Sequence, residues 1–265
     1  MNNAMIKLCG MHELEQAIVS PSDNTVNLNG KRYHTDMLSW EVPTSGMIYG
    51  TLLNYKGALA ALGNAINEAP YNAPPKAPIL YIKPVNTHIG YGIPIPLPDG
   101  IEEVSIGAAL GVVIGRTATR VCESNALDYV AGYTIVNDVR VPHESVYRPA
   151  VSQLSRDGFC PVGPWIIQRD AISNPDQLGI RVLINGELSQ ENNTANLIRS
   201  ISQLIADISD FMTLSSGDIL LVGIPENAPL AKAGDRVRIE IDGIGSLENP
   251  IVPEQMLVVR GGAAQ

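Results

Sequence analysis

Three groups of residues in this sequence have the type and placement for chemistry. Asp138 ends the apolar run in "AGYTIVNDVRVPHES", where a carboxylate can ligate a hard cation, or cap the turn after the strand together with Asn137. His143 and Glu144 follow closely and offer an acid and a base, although a solvated loop accounts for the same pair. Among the cations, Lys83 closes a strand-like run in "YIKPVNT", placed either to bind a substrate carboxylate or simply to face solvent. Arg156 and Asp157 in "SRDGFCPVGPW" form an ion pair with each other or present an anion contact.

Other chemistry is poorly represented. Cys160 precedes Pro161 and has no histidine in sequence relation to it, so it reads as a buried structural thiol. There is no G-x-S-x-G elbow, Walker loop or H-E-x-x-H, and "GAALGVVIG" does not fit the dinucleotide fingerprint. Three cysteines, Cys9, Cys122 and Cys160, are too few and scattered for a disulfide framework, which points to a reducing cytoplasm. The net charge of -9, with 18 Lys and Arg and no basic block, argues against nucleic acid as a partner. No apolar run of about 18 residues is present to span a membrane, and the amino terminus lacks the pattern of a secretory signal. A soluble protein whose partner is a small molecule or another protein is expected.

The elements that must position these residues are mostly strands. Of 265 residues, 45% are hydrophobic and 17% charged, values that support a large core. Val- and Ile-rich runs predict strands at 47–53, 79–84, 110–115, 129–138, 180–186, 218–223 and 235–242, punctuated by Gly and Pro. Asn185-Gly186 between two apolar runs predicts a tight hairpin. Leu197, Ile201, Leu204, Ile205, Ile208 and Phe211 recur at helical spacing, with Asn193 or Thr194 as cap. Shorter helices are expected in "KGALAALGNAINEAP" and in "CESNALDYVAG", the latter capped by Ser124 or Asn125. Residues 1–43 read as a small cap or arm, and 44–265 as one main domain.

Taken in order, "GTLLNYKGA", "YIKPVNTHIG", "LGVVIG", "YVAGYTIVNDV", "FCPVGPWI", "INGELSQENNT", "FMTLSSGDILLVGIP" and "GDRVRIEIDGIGSLENPIV" resemble the fumarylacetoacetate hydrolase family. The stretches "NEAPYNAPPKAPILYIKP", "VPHESVYRPA" and "RDGFCPVGP" look most like the amino-terminal half, or separate subunit, of its decarboxylase/isomerase branch in 4-hydroxyphenylacetate degradation. The resemblance implies an α+β, mainly β fold, a mixed β-sandwich roll with a few short helices. It also implies a cytoplasmic enzyme of small dicarboxylates or tricarboxylates, working as a homodimer or as a hetero-assembly with a metal-competent homologous lobe. Magnesium or calcium is the family's cofactor. An E-x-E pair and a later Asp hold the cation, which polarises a 2-oxo acid.

Residue by residue, the resemblance assigns the last metal ligand to Asp138, and it finds counterparts for Lys83, Asp157, Gln190 and Thr194. With Arg156, the residues Lys83, Gln190 and Thr194 form the expected substrate-binding set. The E-x-E positions fall on Gly107 and Ala109, which have no oxygen to offer. The family's lid histidine falls near Gly57 or Ala58, and an arginine of its N-D motif falls on Pro142. The expected metal site is therefore degenerate. Restoring glutamate at 107 and 109 is expected to rebuild it if Asp138 still faces those positions.

Overall fold

A computed structural model describes residues 1–68, 72–143 and 150–258. Among them, one mixed sheet of eleven strands and a second of five carry most of the chain, with a two-stranded ribbon (Glu103–Ser105 with Leu230–Lys232) beside them. The mainly β architecture agrees with the expectation from sequence.

The large sheet is centred on Ala108–Ile114, flanked by Val130–Asn137 on one side and Ile219–Leu221 on the other. From Ile219–Leu221 the sheet continues through Ile48–Leu52 to an edge strand, Ile79–Lys83. From Val130–Asn137 it continues through Cys160–Gln168 into the amino-terminal segment, whose four strands (Asn2–Ile6, Glu15–Ser20, Thr25–Leu28, Lys31–His34) extend the same sheet. The second sheet packs the hairpin Gly179–Ile184 and Glu187–Asn193 against Arg236–Ile241 and Gly245–Pro253.

Side-chain alternation along the central strand builds two cores. Ala108, Leu110, Val112 and Ile114 face the main cluster, while Ala109 and Val113 face a smaller one with Ile48, Val136, Cys160, Val162 and Leu221. Trp40 and Trp165 meet edge to face at 5.9 Å, tying the amino-terminal segment to the strand Cys160–Gln168.

The hairpin forms as predicted, with positive φ at both Asn185 and Gly186. The main helix is shorter than predicted, Ile201–Phe211, and Ser200 caps it through its side chain, not Asn193 or Thr194. Asn193 instead caps the preceding 3-10 turn at Thr194–Asn196. The segment Glu123–Tyr129 is a 3-10 turn with Cys122 at its start, so Ser124 and Asn125 lie inside it and not at its cap. Several strands go unsignalled in the sequence, among them Asn2–Ile6, Glu15–Ser20, Cys160–Gln168 and Gly245–Pro253; in the last two, internal prolines break the usual strand pattern.

Candidate functional site

Asp138 stands just past Val130–Asn137, and its amide donates to the Gly107 carbonyl at 2.8 Å, so the two residues face each other across the end of a strand pair. The carboxylate is fully buried, as is the Lys83 side chain. Lys83 Nζ lies 2.9 Å from Asp138 Oδ1, and it donates to the Val139 carbonyl at 3.0 Å and the Leu154 carbonyl at 2.6 Å. Three ammonium protons thus face three oxygens. Arg140 Nη2 donates to Asp138 Oδ2 at 2.6 Å, and the Tyr81 hydroxyl donates to the same oxygen. Arg140 also lies over the Tyr81 ring, 5.8 Å from its centroid.

Burial on its own raises the Asp138 carboxyl, but Lys83 and Arg140 overcome it and hold the group down at about 2. Burial, reinforced by the Asp138 charge, pushes the Tyr81 phenol well above its ordinary value, so it stays a neutral donor. Cys160 is buried beside this cluster, and burial drives its thiol up to about 12, which suits an inert structural cysteine.

Glycine makes two of these approaches possible. A Cβ at Gly50 would overlap the Tyr81 ring, and a Cβ at Gly107 would overlap the backbone carbonyl oxygen of Asp138 and stand 2.8 Å from Ile224 Cδ1. The second contact corrects the expectation that glutamates restored at 107 and 109 would simply rejoin Asp138. The strand has closed over position 107, and Ala109 is enclosed by aliphatic side chains. These residues do not fit a magnesium or calcium ion: of the three expected ligand positions, two lack oxygen, and both oxygens of the third are engaged by cations.

A second polar group lies next along the loop that follows Ile219–Leu221. Ile224 packs toward Gly107, and two residues on, the Glu226 carboxylate occupies the space that a Cβ at Gly57 would fill. Gly57 is one of the two positions near which the resemblance leads one to expect a lid histidine. Gln190 Nε2 donates to the Glu226 carbonyl at 2.5 Å and Asn192 Nδ2 to Glu226 Oε1 at 3.2 Å. Glu226 Oε2, Gln190 Oε1 and the Tyr55 hydroxyl are buried with no hydrogen-bond partner. Burial and the Glu226 charge raise the Tyr55 phenol far above its ordinary value.

The other expected residues are dispersed. Thr194 is buried as a clamp, donating to the Pro175 carbonyl and accepting from the Leu178 amide. Arg156 donates through Nε to the Ser152 carbonyl in the turn after Val151–Leu154, and Asp157 accepts from Asn86. His143 is partly buried on the segment beyond Arg140, and Glu144 lies outside the described residues. Sequence reasoning missed Tyr81, Arg140 and Glu226. For the first two the signal was available: Tyr81 precedes Lys83 by two and Arg140 follows Asp138 by two, the spacing that puts side chains on one face of extended chain. A cleft of about 460 Å³ lined by Ser20, Arg181, Arg238 and Asp242 lies elsewhere, and there Arg181 is already neutralised by Asp242 and Glu240.

Among the described residues, no helix is long and apolar enough to cross a membrane. Residues 47–252 match the family described as fumarylacetoacetate (FAA) hydrolase C-terminal. The chain is 45% identical over 215 residues to the 4-hydroxyphenylacetate degradation bifunctional isomerase/decarboxylase of Escherichia coli, covering 81% of this chain and 49% of that one. It thus spans about half the length of the curated relatives of that kind that it matches. Two solved structures are similar over nearly the whole chain. One is the 2-hydroxyhepta-2,4-diene-1,7-dioate isomerase of Mycobacterium marinum (TM-score 0.74, 27% identity, 96% of this chain and 99% of that chain). The other is the maleylpyruvate hydrolase of Sphingobium sp. SYK-6 in complex with manganese(II) and pyruvate (TM-score 0.75, 26% identity, 94% and 99%). With a family match over most of its length and the expected β architecture around Asp138, this chain belongs to the fumarylacetoacetate hydrolase family.

Proposed function

We propose that the chain is an amino-terminal-type lobe or subunit of a cytoplasmic 4-hydroxyphenylacetate decarboxylase/isomerase. Its own metal site is degenerate, and catalysis is carried by a metal-competent homologous lobe with which it assembles. The substrates of that assembly are 5-oxopent-3-ene-1,2,5-tricarboxylate for decarboxylation and 2-hydroxyhepta-2,4-diene-1,7-dioate for isomerisation. The observation that carries this reading is the closure of position 107: the Asp138 carbonyl stands where a ligand side chain would have to begin.

In this lobe Asp138, Lys83 and Tyr81 brace the junction between two strand ends and the turn at Leu154, and no reaction step is assigned to them. Decarboxylation by the isolated chain and by the chain mixed with an E-x-E homologue tests the reading. Turnover only in the mixture is expected. Rapid turnover by the isolated chain that disappears in Asp138→Ala overturns it.

A second reading is favoured by Glu226. A carboxylate with one unpartnered buried oxygen, beside Tyr55 and Gln190, suits proton transfer at a carbon next to a carbonyl, and needs no metal ligand. On that reading the chain acts by itself on a 2-oxo or enol dicarboxylate.

A further inference from the structure

We propose that the Glu226 carboxylate, the Gln190 amide oxygen and the Tyr55 hydroxyl form a site for a monovalent metal cation, sodium or potassium, separate from the Asp138 cluster. The proposal does not depend on the lobe reading above. An ion seated on Glu226 Oε2 does, however, occupy the oxygen on which the second reading relies.

The charge on Glu226 is unanswered. Among the described residues no ion pair reaches it, whereas Asp138 has two cations beside it. Lys56, next to Gly57, donates to the Ala195 carbonyl at 3.5 Å instead. Glu226 Oε1 accepts from Asn192 Nδ2 at 3.2 Å, and Oε2 is buried with no partner. A carboxylate withdrawn from water and left unpaired is costly until a cation joins it.

The neighbours supply oxygen and no charge. Gln190 and Tyr55 are 9% and 0% exposed, and each carries a buried oxygen with no hydrogen-bond partner. Gln190 Nε2 donates to the Glu226 carbonyl at 2.5 Å, which fixes the amide, since reversing it would set oxygen against oxygen. Tyr55 stands two residues before Gly57, whose missing side chain leaves the room that the Glu226 carboxylate fills. Burial, and then the Glu226 charge, raise its phenol, so the hydroxyl stays neutral and keeps its lone pairs.

One carboxylate among these oxygens decides the kind of ion. Magnesium holds its water and demands a near-octahedral set, and calcium takes more oxygens with more carboxylate charge. A monovalent ion is neutralised by Glu226 alone, and amide oxygen can replace part of its water shell. Glu226 and Asn192 are only half-buried, which gives a small ion a way in from solvent.

The test is thermal melting of the full chain in a buffer whose only cation is choline, followed by potassium, sodium or further choline chloride at matched ionic strength. Potassium or sodium is expected to stabilise the fold saturably where choline does not, raising the folded-to-unfolded ratio about elevenfold at about ten times the ion's Kd. Glu226→Gln, close in shape but uncharged, is expected to melt like wild type in choline and to lose the ion-specific increment. Tyr55→Phe keeps the ring in the core and removes an oxygen that has no partner, so it too is expected to keep its melting point in choline. In that variant the increment is expected to need roughly three- to tenfold more ion. Anomalous scattering from a crystal soaked in rubidium is expected to place a peak beside Glu226 Oε2 and Gln190 Oε1. No stabilisation beyond that of choline overturns the proposal, as does an ion-specific increment that Glu226→Gln retains, or a water at the site in the rubidium crystal. Binding of calcium or magnesium in preference to potassium, lost in Glu226→Gln, overturns the assignment of a monovalent ion.

Discussion

The polar groups around Asp138 and around Glu226 differ in one respect that decides what each can do. Around Asp138 each buried charge has a counter-charge: Lys83 donates to two carbonyls and stands 2.9 Å from Oδ1, which has this ion pair and no hydrogen bond, while Oδ2 accepts from Arg140 and Tyr81. Around Glu226, three buried oxygens on Glu226, Gln190 and Tyr55 have no partner. A closed ion network serves the fold, because moving any member leaves a charge stranded. Unanswered polar atoms store interaction capacity that an incoming group can take up. The contrast separates a braced ion cluster at Asp138 from open hydrogen-bonding capacity around Glu226.

The strongest way to break the comparison is to remove the keystone. Asp138→Ala strands Lys83 as a buried cation facing two carbonyls and frees Arg140 from its anchor, which is expected to cost about 3–5 kcal/mol in urea denaturation. A cost below about 1 kcal/mol would show that the cluster is not the brace described here. Acid titration reads the same network without a mutation. Because Asp138 is held at about 2 when folded, against 3.8 unfolded, the unfolded chain binds its proton first. The stabilisation, about 2 kcal/mol, is therefore complete above about pH 4 and is lost as pH falls through about 2. Stability measured across that window in wild type and in Asp138→Asn is expected to differ in slope, with the variant lacking this acid-sensitive component. Gly107→Ala tests the closure itself. Its Cβ meets backbone at Asp138, so the strand ends must part, at an expected cost of about 1–3 kcal/mol in the same denaturation assay.

Much of this was legible before the structure, for reasons that differ by residue. The central strand and its neighbours announce themselves because Val and Ile runs buried on both faces have no other use. Asp138 was legible as the end of such a run, and the absence of oxygen at 107 and 109 was plain from residue type. The meaning of that absence was not. Only the backbone reveals that Gly107 lies against the Asp138 carbonyl, so that a side chain at 107 has no room to begin. Arg140 was overlooked because position-by-position matching looked for an arginine at Pro142, and its pairing with Asp138 and Tyr81 is visible only in the folded chain. Lys83 was placed at the right strand end, but its burial and its three acceptors depend on Val139 and Leu154, more than fifty residues away. Cys160–Gln168 escaped because prolines at 161 and 164 hide a strand that neighbours on both sides nevertheless hold in register.

The smallest effect on stability is expected where the comparison predicts the largest effect on chemistry. Glu226→Gln keeps the size of the side chain and the acceptor facing Asn192, and it replaces an unpartnered carboxylate oxygen by an amide. Because no established hydrogen bond is lost, unfolding free energy in alkali-free buffer should stay within about 0.5 kcal/mol of wild type. Proton transfer is a separate matter. A carboxylate within reach of a bound 2-oxo acid can remove a proton from the carbon beside the oxo group, and an amide cannot. Incorporation of deuterium from solvent into the pyruvate methyl group, followed by NMR in excess EDTA, reads that step directly. If the lobe has no chemistry of its own, wild type and Glu226→Gln exchange at the buffer rate, and this is the expected outcome. Exchange above that rate in wild type, abolished in Glu226→Gln while the fold is intact, transfers the weight to the second reading and makes Glu226 the base of a metal-free tautomerase.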